Sequence, residues 1–451
     1  MYRCLIFVLL FLSPLLGICQ SYPPLSTLDI PKSFVSNLSH TAYLLTPDPA
    51  KPQKEIRVLV YGQSISMQKW WEAVRQHLQE RFPETKLIME NRAIGGFSSE
   101  RLKLMVANDV VPFYPDLVLF HDYGNEADYE QIIRVIRSQT TAEVAVQTDH
   151  MGVGQNDEWH DRHCNEWLPK LCETYGLALL DVRTAWKAYL QQHQLSPKAL
   201  LSDNVHLNDH GNYLMAQIIN RYFDALPKRV QDTDSPIQLL IKGHGLTITA
   251  NKVQVPVTGN RIDIRWQDKA GTSEPVEVLL DGKRPSTLLA TYYYTRPSLR
   301  PNTFFLTHIG QLLAIQLNGT PQAEDWTLIV TAVDSVNQQL NFKLEGSKTG
   351  ADGEGSSESN FVSRSGRIQI SPADWFRRKS AGDFRQFYWL KPGDQLRWQV
   401  RTTSADQIKP ANGITTTLVQ GIPNDSHVLE LTGKGVQVIQ EIRVYKPPLN
   451  Q

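Results

Sequence analysis

The chain has 451 residues, 46 Lys and Arg against 46 Asp and Glu, 41% hydrophobic residues and 4 cysteines. At roughly 100–200 residues per domain this length calls for two or three domains, and the balanced charge offers no global field for nucleic acid or an anionic membrane surface. Two of the cysteines, Cys4 and Cys19, flank the most apolar segment, so a disulfide-built miniprotein is excluded too.

Arg3 precedes an apolar run from Cys4 to Leu12, which continues past Ser13-Pro14 to Cys19. One positive charge, a short apolar stretch and small residues at Gly17 and Cys19 make residues 1–19 a secretory signal peptide by pattern. Pro14 interrupts the run, which falls short of the roughly 20 apolar residues a spanning helix needs, and no later stretch reaches that length. Acylation of Cys19 would make a lipoprotein, but the bulky Ile18 before it disfavours that. The expectation is a secreted or periplasmic protein without a membrane span. Residues 20–55, rich in Pro, Ser, Thr and Lys, read as an extended lead-in.

From Ile56 short apolar runs alternate with longer amphipathic ones. Ile56 to Tyr61 reads as a buried strand, and Met67 to Arg81, with Trp70, Val74 and Leu78 at helical spacing, as a helix. The pattern repeats: strand Lys86 to Met89, helix Glu100 to Asp109, strand Asp116 to Phe120, helix 127–137, strand Ala142 to Gln147. After an irregular stretch at 149–158, a helix through Trp167 and Leu171 leads to a strand from Leu177 to Leu180, and a last helix runs from Asp209 to Phe223. Such alternation predicts a doubly wound parallel α/β domain over residues 56–226. A polar linker, 227–240, follows. Over 241–451 short β-rich runs bounded by Asp-Gly, Asn-Gly and Pro-Gly turns predict an all-β sandwich. The Gly-, Ser- and acid-rich stretch from Gly346 to Ser359 reads as a loop.

Ligands of open parallel sheets bind outside the carboxyl ends of the strands. After the first strand stands Gly62-Gln63-Ser64, after the second Asn91 to Gly96, after the third His121-Asp122-Tyr123-Gly124-Asn125, and near the domain's end Asp203-Asn204-Val205-His206. Acyl transfer needs a nucleophile, a base, an orienting carboxylate and oxyanion donors. Ser64 on a turn permitted by Gly62 supplies the first, His206 the second and Asp203 the third. The backbone N–H groups of Ser64 and Gly96 and the Asn125 carboxamide are the donors. Each signal has a structural reading as well: Gly-x-Ser as a plain turn, Asn125 as a helix cap, Asp203 and His206 as a capped loop. Their order at the strand ends of one sheet favours the catalytic one.

These segments resemble the conserved blocks of the SGNH, or GDSL-type, hydrolases, with Ser64, Gly96, Asn125 and the Asp203-x-x-His206 pair in the block positions. The resemblance covers residues 56–226. It implies a flavodoxin-like sheet and ester hydrolysis through an acyl-serine, with no metal and no cofactor. Two positions depart from the pattern. Gln63 replaces the usual acid, a version similar to that of some sialate and other carbohydrate acetylesterases, and Tyr123 stands where a glycine is usual. Gln63, His121, Asp122 and Tyr123 are therefore candidate substrate contacts.

Asp149, His150, Asp157, His160, Asp161 and His163 suggest a metal cluster, but their spacing matches no zinc signature and Arg162 is a poor neighbour for a cation. Cys164 and Cys172, eight apart on a helix, lie about 12 Å apart along its axis and are expected to be free thiols. Tyr292-Tyr293-Tyr294, Trp326, Trp375-Phe376 and Phe387-Tyr388-Trp389 read either as a carbohydrate-binding surface or as core. Asp352, Glu354 and Glu358 read either as a calcium loop or as a solvated one. The expected function is removal of O-acyl groups, acetyl foremost, from an oligo- or polysaccharide. The alternatives are a lipase or thioesterase on the same scaffold and a non-catalytic glycan-binding protein.

Overall fold

The computed structural model describes residues 22–46, 54–154, 157–227, 235–269, 271, 274–299, 312–376 and 390–450. The leader with Cys4 and Cys19, and the Phe387-Tyr388-Trp389 run, lie outside the described residues.

Strands β1 (Glu55–Gly62), β2 (Lys86–Asn91), β3 (Leu117–His121), β4 (Glu143–Gln147) and β5 (Ala178–Leu180) form one parallel sheet in the order β2-β1-β3-β4-β5. Successive side chains of a strand point to opposite faces, and here both faces are covered. Val58 and Val60 of β1 and Leu117 and Leu119 of β3 enter one core, whereas Leu59, Tyr61, Val118 and Phe120 enter the other. That two-sided burial is why these strands appear in sequence as continuous apolar runs.

Helices α1 (Lys32–Ser36), α2 (Ser39–Leu45), α3 (Trp70–Arg81), α4 (Ser99–Val110), α5 (Glu126–Gln139), α6 (Asp157–Arg162), α7 (Leu168–Tyr175), α8 (Val182–Gln192) and α9 (Asp209–Asp224) accompany the sheet. The first core takes Phe34, Trp70, Trp186 and Phe223 from α1, α3, α8 and α9. The second takes Met105, Ile132 and Leu171 from α4, α5 and α7. The lead-in read as extended contains α1 and α2. Phe34, Leu38, Ala42 and Leu45 recur at helical spacing and are buried. The first-turn amides of α2 are satisfied from afar, since the Glu143 carboxylate accepts from His40 N (2.9 Å) and Thr41 N (2.7 Å). No local cap marks that start.

Beyond residue 235 the chain is β-rich. A seven-stranded, largely antiparallel sheet pairs the long strands Lys252–Trp266 and Thr415–Thr432. Its first strand, Ile237–Lys242, begins within the stretch read as linker. Between its strands Val276–Leu280 and Gln407–Ile408 the chain builds a five-stranded and a three-stranded sheet over a separate core. Of the aromatics weighed for sugar binding, Tyr294, Trp326 and Trp375 lie in that core.

The Gly346 to Ser359 stretch is not a loop: Gly350–Ser356 is a strand paired with Gln339–Gly346. A Cβ on Gly355 would sit 2.6 Å from Phe361 and 2.7 Å from Phe342, so glycine here serves close packing of rings on a strand. Asp352 is buried and accepts from Ser365 N (2.7 Å) and Oγ (2.6 Å), a structural role in place of the calcium reading.

Candidate active site

In the order β2-β1-β3 the chain reverses its direction of winding between β1 and β3, the place at which open parallel sheets bind their ligands. Gly62 ends β1 at φ +138°, and a Cβ there would lie 1.9 Å from the His121 carbonyl, so only glycine lets the two strand ends approach. Ser64 follows on a tight turn with Ser66 N to Gln63 O (3.0 Å) and Met67 N to Ser64 O (3.2 Å).

His206 and Asp203 stand on the loop before α9. The loop is closed by Ser202 N to His206 O (2.8 Å) and by a bridge between Leu201 and Leu207. Asp203 Oδ1 accepts from Val205 N and His206 N, both 2.7 Å, and its Oδ2 receives His206 Nδ1 at 2.7 Å. Those backbone donors, then His206, hold the Asp203 carboxyl well below the usual carboxylate range although it is exposed. With Nδ1–H given to Asp203, His206 Nε2 is left as an acceptor, and it lies 2.9 Å from Ser64 Oγ. The structure thus brings together Ser64, His206 and Asp203, the first two 142 residues apart in sequence, in one hydrogen-bonded row.

Gln68, which the sequence reading passes over, and His150, read there only as a candidate metal ligand, hold the loops in register. Gln68 Oε1 accepts from Leu207 N (2.9 Å) and its Nε2 donates to Leu207 O (3.3 Å), tying the Ser64 turn to the His206 loop. His150, whose ring nitrogen Nε2 donates to Val205 O at 2.7 Å, holds the same loop from beneath. Polar side chains next to strand ends are the only sequence signal for either.

Gln63, His121 and Asp122 are 3%, 1% and 1% exposed, so they are buried and, contrary to the sequence reading, offer almost no surface to a substrate. The Ile65 N–H donates to Gln63 Oε1 (3.2 Å), which fixes the amide: Nε2 must donate to His121 Nδ1 (3.1 Å). His121 then carries its proton on Nε2 and donates to Asp149 Oδ1 (3.1 Å), while Asp149 Oδ2 receives His160 Nδ1 (2.5 Å). Burial alone would raise the Asp149 carboxyl, but the two imidazoles outweigh it and hold it far below the usual range. Gln63 Oε1 also lies 2.8 Å from Ser64 Oγ, so the serine's single proton faces two acceptors, Gln63 and His206. Burial pushes the Asp122 carboxyl well up, and its Oδ1 accepts from Tyr123 N (2.8 Å). Tyr123 sets its ring edge-on to His121 and His160.

Asn125 caps α5: its Oδ1 accepts from Ala127 N (2.9 Å) and Asp128 N (3.3 Å), which leaves Nδ2 as the free end of the amide. Gly96 lies at φ +79° with its carbonyl bonded to Arg101 Nη1, so its loop is held from the carbonyl side. A Cβ on the preceding Gly95 would be 3.9 Å from Ser64 Cβ, placing this loop beside Ser64.

The acids weighed as metal ligands are engaged by protein partners. Asp157 and Asp161 bind Arg183 at 3.1 and 2.6 Å, and Asp149 binds the two histidines. Among the described residues no group of three or more His, Cys, Asp or Glu side chains is arranged to hold a metal. Cys164 and Cys172 are buried free thiols, both raised by burial, Cys172 to about 12. No helix among the described residues is long and apolar enough to cross a membrane.

No family model matches the chain, and no curated protein does. Solved structures do. The chain is similar to a two-domain esterase active on acetylated mannans at 12% identity and TM-score 0.36, over 91% of this chain and 96% of that one. It is similar to an acetylxylan esterase from Geobacillus stearothermophilus at 18% identity and TM-score 0.35, over 40% of this chain and 99% of that one. It is also similar to an alpha/beta hydrolase enzyme from the metagenome of Lake Arreo, Spain, at 21% identity and TM-score 0.34, over 38% and 96%. Those names describe those proteins. For this chain the weight rests on its own distances.

Proposed function

We propose that the protein is an exported serine esterase that removes O-acyl groups, acetyl foremost, from a carbohydrate through an acyl-serine intermediate. The observation that carries this reading is the unbroken relay from Ser64 Oγ to His206 Nε2 (2.9 Å) and from His206 Nδ1 to Asp203 Oδ2 (2.7 Å). Ser64 Oγ attacks the ester carbonyl while His206 takes its proton, and Asp203 stabilises the imidazolium that forms. The N–H groups of Ser64 and Gly96 and Nδ2 of Asn125 serve the oxyanion, each donor worth about 2.7–4 kcal/mol of barrier. His206 then returns the proton to the departing sugar oxygen, and water repeats the cycle to release the acid. A carbohydrate leaving group, in preference to a long acyl chain, is supported by the polar cleft that Asn125 shares with Glu126, Glu130 and Arg162.

Hydrolysis of 4-nitrophenyl acetate tests the reading. The full-length protein should turn it over, and Ser64→Ala should lose at least about 10³-fold in kcat. An alanine variant that keeps its rate would sink the mechanism. Equal or better rates on the octanoyl ester would favour a lipase.

A further inference from the structure

A cleft of about 510 Å³ opens between the start of α5, with Asn125, Glu126 and Glu130, and a wall made by Trp159, Arg162 and Trp167. That volume falls among those of small-ligand sites, roughly 300–1,000 Å³. The wall is built with care. His163–Trp167 is a π-helical turn between α6 and α7, a feature that recurs at functional sites. It brings three rings into a ladder: Trp159 on His163 at 4.7 Å and 11°, His163 on Trp167 at 4.9 Å and 18°. Tyr129 buttresses Trp167 edge-on at 5.4 Å.

The ring in the middle has an unused polar atom. His163 is 1% exposed, its Nδ1–H donates to Glu126 Oε1 (3.3 Å), and its Nε2 has no partner among the described residues. That nitrogen is itself sealed and His163 does not line the cleft, so the ring's part is to fix the two tryptophans and the Glu126 carboxylate that do. The charges select further. Arg162 is paired with Glu126 at 2.9 Å. Glu130 accepts from the Tyr175 hydroxyl and pairs with Arg134 at 3.4 Å. Each cation named here already has a carboxylate, so an anionic sugar finds no spare charge while a neutral one finds acceptors and rings.

We infer that this cleft is a binding subsite for a neutral sugar residue of the substrate, with Trp159 and Trp167 as its apolar wall and Glu126 and Glu130 as hydroxyl acceptors. The inference rests on the esterase reading for its link to catalysis, through Asn125, which lines the cleft and is one of the oxyanion donors proposed above. Binding itself is independent of that reading.

Two measurements test it. Full-length Ser64→Ala, titrated with unacetylated neutral xylan and glucomannan fragments and with oligogalacturonate, should show quenching of tryptophan fluorescence by a neutral fragment only. Adding Trp159→Ala should weaken that binding at least about tenfold, and Trp159→Phe should restore most of it. On acetylated neutral fragments Trp159→Ala in the Ser64 protein should lose kcat/KM through KM, by at least fivefold more than on 4-nitrophenyl acetate. Binding of no neutral fragment, a preference for oligogalacturonate, or equal losses on both esters in a variant with native near-ultraviolet circular dichroism would overturn the subsite. If the wild type fails on 4-nitrophenyl acetate while neutral fragments still bind, the esterase reading falls and the subsite stands.

Discussion

His150 shows at the residue scale how one buried ring ties the site to stability. Its Nε2 donates to Val205 O, one residue from His206, while its Nδ1 is buried without a partner and its ring meets Trp186 edge-on. Burial, reinforced by His121, pushes the imidazole down to about 4. The folded value lies below the unfolded one, so the unfolded chain binds the extra proton first. The stability contribution is complete above about pH 6.5 and is lost as pH falls toward 4, by about 3 kcal/mol in all. Urea unfolding of the wild type and of His150→Gln, which can still donate to Val205 O but cannot titrate, should diverge across that window. Identical slopes would remove His150 from the account. Losing the donor altogether, as in His150→Leu, should leave the Val205 carbonyl unsatisfied and cost about 1–3 kcal/mol at pH 7.

Among the elements, α9 and the loop before it depend on a single missing methyl group. Gly211 lies in the first turn of α9, where Asn208 Oδ1 accepts its N–H at 3.0 Å. A Cβ there would lie 2.2 Å from Leu200 O and 3.1 Å from Leu207 Cβ. Alanine is ordinarily the better helix former, but here it would push the 200–207 loop off the helix and carry His206 with it. Displacing a catalytic group by about 1 Å can cost about 10²-fold in rate, whereas overpacking typically costs about 1–3 kcal/mol. Gly211→Ala should therefore lose activity on 4-nitrophenyl acetate far more than stability; a variant with wild-type kcat would refute the tight fit.

The same scale shows what the sequence could and could not tell. The five strands were legible because both-face burial leaves unbroken apolar runs, and Ser64, Asp203 and His206 because local spacing places them at strand ends. Helix α8 is not among the elements read from the sequence, although Val182, Trp186 and Tyr189 recur at helical spacing behind an Asp181 cap that accepts from Thr184 N at 3.1 Å. The capping of α2 by Glu143 was not legible at all, since cap and helix lie about a hundred residues apart. Nor was the burial of His121, which depends on Asp149 and Gln63 closing over it from other loops.

For the molecule as a whole, the β-rich part is docked on the α/β part through polar groups as well as apolar ones. Leu313 belongs to the second core of the parallel sheet, and Phe376 receives the Arg101 guanidinium 3.9 Å above its ring. Tyr114 OH bonds Asn260 Oδ1 at 2.6 Å, Asn260 Nδ2 donates to Gln139 O at 2.8 Å, and Gln420 Nε2 to Val111 O at 2.9 Å. At the centre Arg296 forks onto Asp109, Nε to Oδ1 at 2.6 Å and Nη2 to Oδ2 at 2.8 Å, with side chains 12% and 4% exposed. Asp109 also accepts from Tyr61 OH of β1 at 3.0 Å, so this pair connects the docked part to the strand of the parallel sheet that leads to Ser64. Removing one partner of a buried pair leaves the other charge unpaired and typically costs about 3–5 kcal/mol. Arg296→Ala should lower stability by that order and uncouple the two parts, so that a single calorimetric transition in the wild type becomes two. Arg296→Lys, which keeps the charge but not the fork, should fall between. A loss below about 1 kcal/mol with one transition retained would mean that apolar contacts alone hold the parts together.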